Sequence, residues 1–227
     1  MTPTIPTPSP LRAPRTAASP LRLLTDQPVR PTPAGAFRAV ARPVPDPVGR
    51  LLLETMRSDV TPQLTPEAVC RWAGTSDEQA ALSVLRAAQD DALIEAIDAP
   101  LRLADGRLEE LVPPYLATLS DEGRALLADP DGLPVWSAGF EAPFAVQLAA
   151  MSADLAALHE RHQATIGDLL GAASSAWALV DGVGASRVGC WPIHVGATRF
   201  VLVAQGLPRM HHPNFTTLVW LLVHRYG

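Results

Sequence analysis

The sequence predicts an α+β protein: two folded units of helices and short strands behind a proline-rich tail. Three observations predict it. Eleven of the 23 prolines fall in residues 1–46. Residues 47–106 then alternate capped helical stretches with short apolar runs. From Arg107 onward the chain reads as helix, two strands, long helix, three strands and closing helix, with apolar periods that switch between about two and about 3.6.

Residues 1–46 carry Pro3, Pro6, Pro8, Pro10, Pro14, Pro20, Pro28, Pro31, Pro33, Pro43 and Pro45 among Thr, Ser and Ala. Proline removes backbone donors, and the apolar surface is too small to offset ordering entropy. The expectation is a disordered tail with polyproline-II character. Six arginines against two aspartates make it basic, at +4. Leu21, Leu23 and Leu24 form a short apolar patch within it, a weak candidate docking motif.

Residues 47–106 open with the helix GRLLLETMRS, whose Leu52, Leu53 and Met56 share one side. In LTPEAVCRWAG, Thr65 is the expected N-cap, Pro66 the first helical residue and Gly74 the stop. A third helix begins with Ser76 or Thr75 as cap and has Leu82, Leu85 and Ala88 as its core side. ALIEAIDAPLRLADG then predicts a hairpin turning at Asp98-Ala99-Pro100. Residues 107–121 suggest a linking helix, kinked or broken at Pro113-Pro114.

In residues 107–227, Arg124–Asp129 and Leu133–Gly139 are expected strands around the turn Asp129-Pro130-Asp131-Gly132. The helix from about Glu141 to His162 follows. One of its stripes is large: Phe144, Leu148, Met151, Leu155 and Leu158. A second is small: Ala145, Ala149, Ala153, Ala156 and Ala157. The large stripe is expected to close the protein's own sheet. The small one, with Ser152 (Ala145, Ala149, Ser152, Ala153, Ala156), is expected to meet a partner helix. Beyond a softer stretch with Gly167 and Gly171, a meander is expected from Ala176–Asp181, Arg187–Val195 and Arg199–Gln205. A core helix opening at Pro213 closes the chain.

LLADPDGLPVWSAG, QLAAMSADLAAL, the three strands AWALVDG, RVGCWPIHV and RFVLVAQ, and the terminal helix together resemble the roadblock / dynein light chain family. Profilin-like and longin-like folds are similar in outline. The likeness covers roughly half of the chain. It implies a homodimer whose central helices pair and whose sheets join along one edge. It also implies non-catalytic work: scaffolding motor or signalling complexes, or regulating Ras-like small GTPases, in bacteria those of polarity and motility. The segment Leu64–Gly106 resembles a winged helix-turn-helix domain in layout.

Charge bears on the choice between these readings. A net charge of −5 exerts no general pull on nucleic acid or anionic membrane. Residues 47–112 hold six arginines and twelve acids, so the winged-helix-like unit is acidic where a DNA reader is basic. Arg86, Arg102 and Arg107 are the candidate DNA contacts of the alternative reading, a transcription regulator dimerised by the C-terminal unit.

Catalytic signals are weak. His159 and His162 share a helix side without a third ligand, and HERH is not HExxH. The glycine-rich Asp181–Gly184 lies between strands, with no helix behind it to complete a phosphate site. Ser174 and Ser175 lack a nearby base. Cys70 and Cys190 read as buried reduced thiols, and Trp136, Trp191 and Trp220 as core residues or partner anchors. The expected protein is therefore a cytoplasmic, non-enzymatic homodimeric scaffold without cofactor or metal. Its candidate partners are itself and a small GTPase, with DNA disfavoured and no membrane contact.

Overall fold

A computed structural model describes residues 27–166 and 175–227. Among them are seven helices and two antiparallel sheets, an α+β architecture. The Leu21–Leu24 patch, Arg12, Arg15 and Arg22, and the glycines at 167 and 171 lie outside the described residues, as does Ser174.

The tail expectation fails from Gln27 onward. Val29–Pro31 is a strand, β1, and Pro33–Val40 a helix, α1, that buries Gly35, Ala36, Ala39 and Val40. The density of proline misled because position matters more than number. Pro33 opens α1, where its missing N–H has no intrahelical acceptor, and Thr32 Oγ1 accepts the Gly35 N–H. The arginines here are structural too: Arg30 pairs with Glu95 at 2.7 Å, and Arg38 with Asp46.

The same segment displaces the expected hairpin. β1 pairs antiparallel with β2, Ile94–Ala96. On its other side, Val29 donates to the Pro62 carbonyl and Leu64 to that of Gln27, both at 3.0 Å. Residues 59–61 bond in turn to 101–103, through Thr61 N to Leu101 O at 2.9 Å and Leu103 N to Asp59 O at 2.8 Å. The two expected hairpin arms are thus separated by the inserted N-terminal strand. Three helices complete this unit: α2, Pro47–Thr55; α3, Pro66–Ala73; and α4, Glu78–Asp90. The caps Thr65 and Gly74 stand where the sequence placed them, Gly74 at φ 69°. The α4 cap is Asp77, whose carboxylate accepts two backbone N–H groups, while Thr75 accepts the N–H of Asp77.

α5, Leu108–Thr118, is one helix despite Pro113 and Pro114. The two missing donors free the carbonyls of Glu109 and Glu110, both exposed residues that water can satisfy. Five strands follow as expected: β3 Ala125–Ala128, β4 Pro134–Ala138, β5 Trp177–Val180, β6 Ser186–Val195 and β7 Thr198–Gln205. They form one antiparallel sheet in the order β4-β3-β7-β6-β5. The long helix is α6, Ala142–Arg161, and the closing helix α7, Pro213–Tyr226.

Strand alternation divides the sheet between two cores. Leu126 and Ala128 of β3, with Val201 and Val203 of β7, pack with α6. Ala125 and Leu127, with Phe200, Leu202 and Ala204, pack with α5 and α7. The second core runs on without a break into α1–α4, and Phe37 of α1 stacks at a tilt against Phe215 of α7 at 6.3 Å. Residues 29–40 therefore join the helical unit to the sheet.

Candidate interaction surface on α6 and β5

The two stripes of α6 face opposite to expectation. Ala145, Ala149, Ser152 and Ala156 are buried within the chain itself, against β3 and β7. Their small size lets the helix approach the sheet, and the buried Ser152 hydroxyl donates to the Ala149 carbonyl at 2.8 Å. Ala153 is half-buried beside the β3–β4 turn, where Gly132 approaches the α6 backbone: a Cβ there would lie 3.0 Å from Ala150 Cα and 3.3 Å from Ala153 Cβ. None of the five is available to a partner helix on the buried face, so the candidate dimer interface built on them is withdrawn.

The large stripe is a flank. Leu148 is buried at its inner border and Leu155 packs partly into the core, but Phe144 is 46% exposed and Met151 38%. At 100° per residue the buried face centres on Ala145, Ala149, Ser152 and Ala156, and the large residues run along one side of it. The Ala150/Ala153 side faces the β3–β4 turn. The large side faces the other end of the sheet, where β5 lies. Phe140 and Phe144 meet edge to face at 5.7 Å at its start.

β5 is the terminal strand, hydrogen-bonded only to β6 within the sheet. Ala178, Leu179 and Val180 are exposed, Leu179 at 63%. Its outer row of backbone groups has no strand partner among the described residues. Such an edge is a template for another chain. Trp177 is half-buried and anchors the strand: its Nε1–H donates to His159 Nδ1 of α6 at 3.3 Å, with the rings perpendicular at 6.2 Å. The β5–β6 loop is held by Asp181, which accepts the Val183 and Ala185 N–H groups at 3.0 Å and pairs with Arg187. Those backbone bonds, with Arg187, hold its carboxyl below the ordinary value. Nearby, Arg199 of β7 pairs with Glu160 of α6. His194, opposite Arg199 in the β6–β7 register, is kept neutral further into acid by burial and then by Arg199, against the pull of Glu160.

Arg86, Arg102 and Arg107 are not brought together as a free basic patch. Arg86 pairs with Asp90 at 2.7 Å, Arg102 with Asp59, and Arg107 with Glu109 at 3.6 Å. All three are surface pairs with acids of their own neighbourhood. A groove of about 490 Å³ between the 103–109 segment and the end of α7 has Trp136 in its wall, but its rim mixes Asp59, Asp105 and Glu109 with Arg107 and Arg225. No single ligand charge suits that rim.

The three tryptophans singled out in the sequence pack into the core: Trp136 and Trp220 are buried, and Trp191 lies over Gly189. The surface that sequence reasoning missed is the run Ala178–Val180. Its signal was available, since an apolar strand without alternation at the end of a sheet must leave one apolar side open. No helix of the described residues is long and apolar enough to cross a membrane. No family model, curated protein or solved structure matches this chain.

Proposed function

We propose that this protein is a non-catalytic scaffold of roadblock type that works as a homodimer. The carrying observation is the edge strand β5, with Leu179 and Val180 exposed and Trp177 bonded to α6, whose flank leaves Phe144 and Met151 exposed. A second copy placed against this margin would extend the sheet through the outer edge of β5, which has no strand partner among the described residues, and cover Phe144 and Met151. The order of elements α5-β3-β4-α6-β5-β6-β7-α7 supports the reading, since it is the order on which the resemblance rests. A small Ras-like GTPase is the partner class the resemblance suggests for such a dimer.

Light scattering tests the dimer. The full chain should run at twice its monomer mass at micromolar concentration. Met151→Glu and Leu179→Glu, both on the exposed margin, should each give a folded monomer with unchanged far-UV circular dichroism. A monomeric parent chain would end the proposal.

α2–α4, with the paired segments 59–61 and 101–103, make a winged-helix-like layout. The surface pairing of Arg86, Arg102 and Arg107 supports a protein-contact role for it over DNA reading. A duplex DNA shift at low salt, lost on changing the three arginines to Ala, would reverse that preference.

A further inference from the structure

Among the described residues, a hydrogen bond from β5 to α6 runs through a group whose acceptor vanishes on protonation. Trp177 Nε1–H can only donate, so His159 Nδ1 must be the bare nitrogen and the ring proton must sit on Nε2. An imidazolium has two N–H donors and no acceptor. Protonation of His159 therefore sets N–H against N–H and costs the bond.

The bond is placed where its loss matters. Trp177 is the only half-buried member of β5; the three residues after it are exposed. Beyond this anchor the strand holds to β6 alone within the sheet, and that ladder shifts register between Leu179 and Val180. The charged and titratable groups around His159 among the described residues are few. Glu160, Arg161 and His162 flank it on α6; Arg199 of β7 pairs with Glu160, and His194 of β6 lies opposite Arg199 in the sheet register.

We propose that His159 is a proton-sensitive latch on the edge strand: neutral, it holds Trp177 and β5 in place for a second copy; protonated, it releases both. This rests on the homodimer reading and adds its regulation. The latch is closed while the His159 ring is neutral and open once it carries a second ring proton.

The test uses the full chain between about pH 8 and about pH 5. The Trp177 indole N–H resonance is followed by NMR, assigned by its absence in Trp177→Phe, alongside mass by light scattering. The indole signal should move in one titration while the dimer dissociation constant rises roughly tenfold. In His159→Gln, whose amide oxygen accepts at every pH, neither should change. Trp177→Phe should dimerise more weakly at both ends of the range, with no transition between them. His194→Gln should keep the transition.

A still indole resonance overturns the latch. So does a transition that survives in His159→Gln or vanishes in His194→Gln, or a dimer indifferent to a titrating indole. A chain monomeric throughout, with an indole that titrates through His159, would instead sink the homodimer reading and leave the hold on β5 in place.

Discussion

Trp220 Nε1 donates to the Ser58 carbonyl at 2.7 Å, joining the closing helix to the loop behind α2 across 162 positions of sequence. One turn later His224 Nδ1 meets the Arg57 carbonyl at 2.9 Å. The pair clamps the helical unit to the sheet. Trp220→Phe keeps most of the ring volume and loses the donor, so it should cost about 1–2 kcal/mol in urea denaturation. His224 should keep the loop seated, so the transition should remain cooperative.

Gly35 sets how closely α1 can lie to the backbone before β2. A Cβ there would lie 1.8 Å from the Leu93 carbonyl oxygen, which is backbone and cannot swing aside. Gly35→Ala must push α1 away from its seat. A loss of about 3 kcal/mol or more is expected, read as a lowered denaturant midpoint. Were residues 27–46 a free tail, the change would be silent, so the measurement also distinguishes a packed segment from a free one.

Gly189 plays the same part under the Trp191 ring. An added Cβ would fall 2.2 Å from the indole. The ring can tilt, so Gly189→Ala should cost less than Gly35→Ala, about 1–3 kcal/mol. A change in near-UV circular dichroism without a change in far-UV signal would show that the ring, and not the sheet, has moved.

Ala149 and Met151 are two residues apart on α6 and should answer oppositely to the same substitution. Ala149→Glu drives a charge into the core between α6 and β3/β7 and should unfold the protein or abolish soluble expression. Met151→Glu lies on the exposed flank and should leave the thermal midpoint within a few degrees of the parent. Had the alanine stripe been the partner surface, the order would be reversed.

Cys190 is buried, and desolvation alone pushes its thiol up to about 11 from an ordinary 9.0. Alkylating reagents at neutral pH should leave it unmodified in the native protein and label it after unfolding. The sign for stability follows from the raised value. The unfolded thiol ionises first, so stability holds below pH 9.0 and falls as pH rises towards about 11. Cys190→Ala should lessen that alkaline loss in thermal melts.

Local chemistry decided much that the sequence made legible. Thr65 and Gly74 bound α3 because a hydroxyl and a left-handed backbone act within one turn. Asp129 makes its turn because its carboxylate reaches the N–H groups of Asp131 and Leu133. The strands β3–β7 and helices α6 and α7 were readable in order because their apolar periods are properties of contiguous residues.

What lay beyond reach depended on partners distant in the chain. Val29–Pro31 became a strand because residues 60–64 and 94–97 leave a slot for it, and no proline count contains that fact. The open margin of Phe144, Met151, Leu179 and Val180 appears only when α6 has been laid on its sheet and β5 placed last in it. The sequence alone determined that α6 has one small and one large stripe. Which stripe turns inward was settled by the tertiary structure: the helix lies close to β3 and β7, and alanines with Ser152 line that gap while Leu148 closes its border.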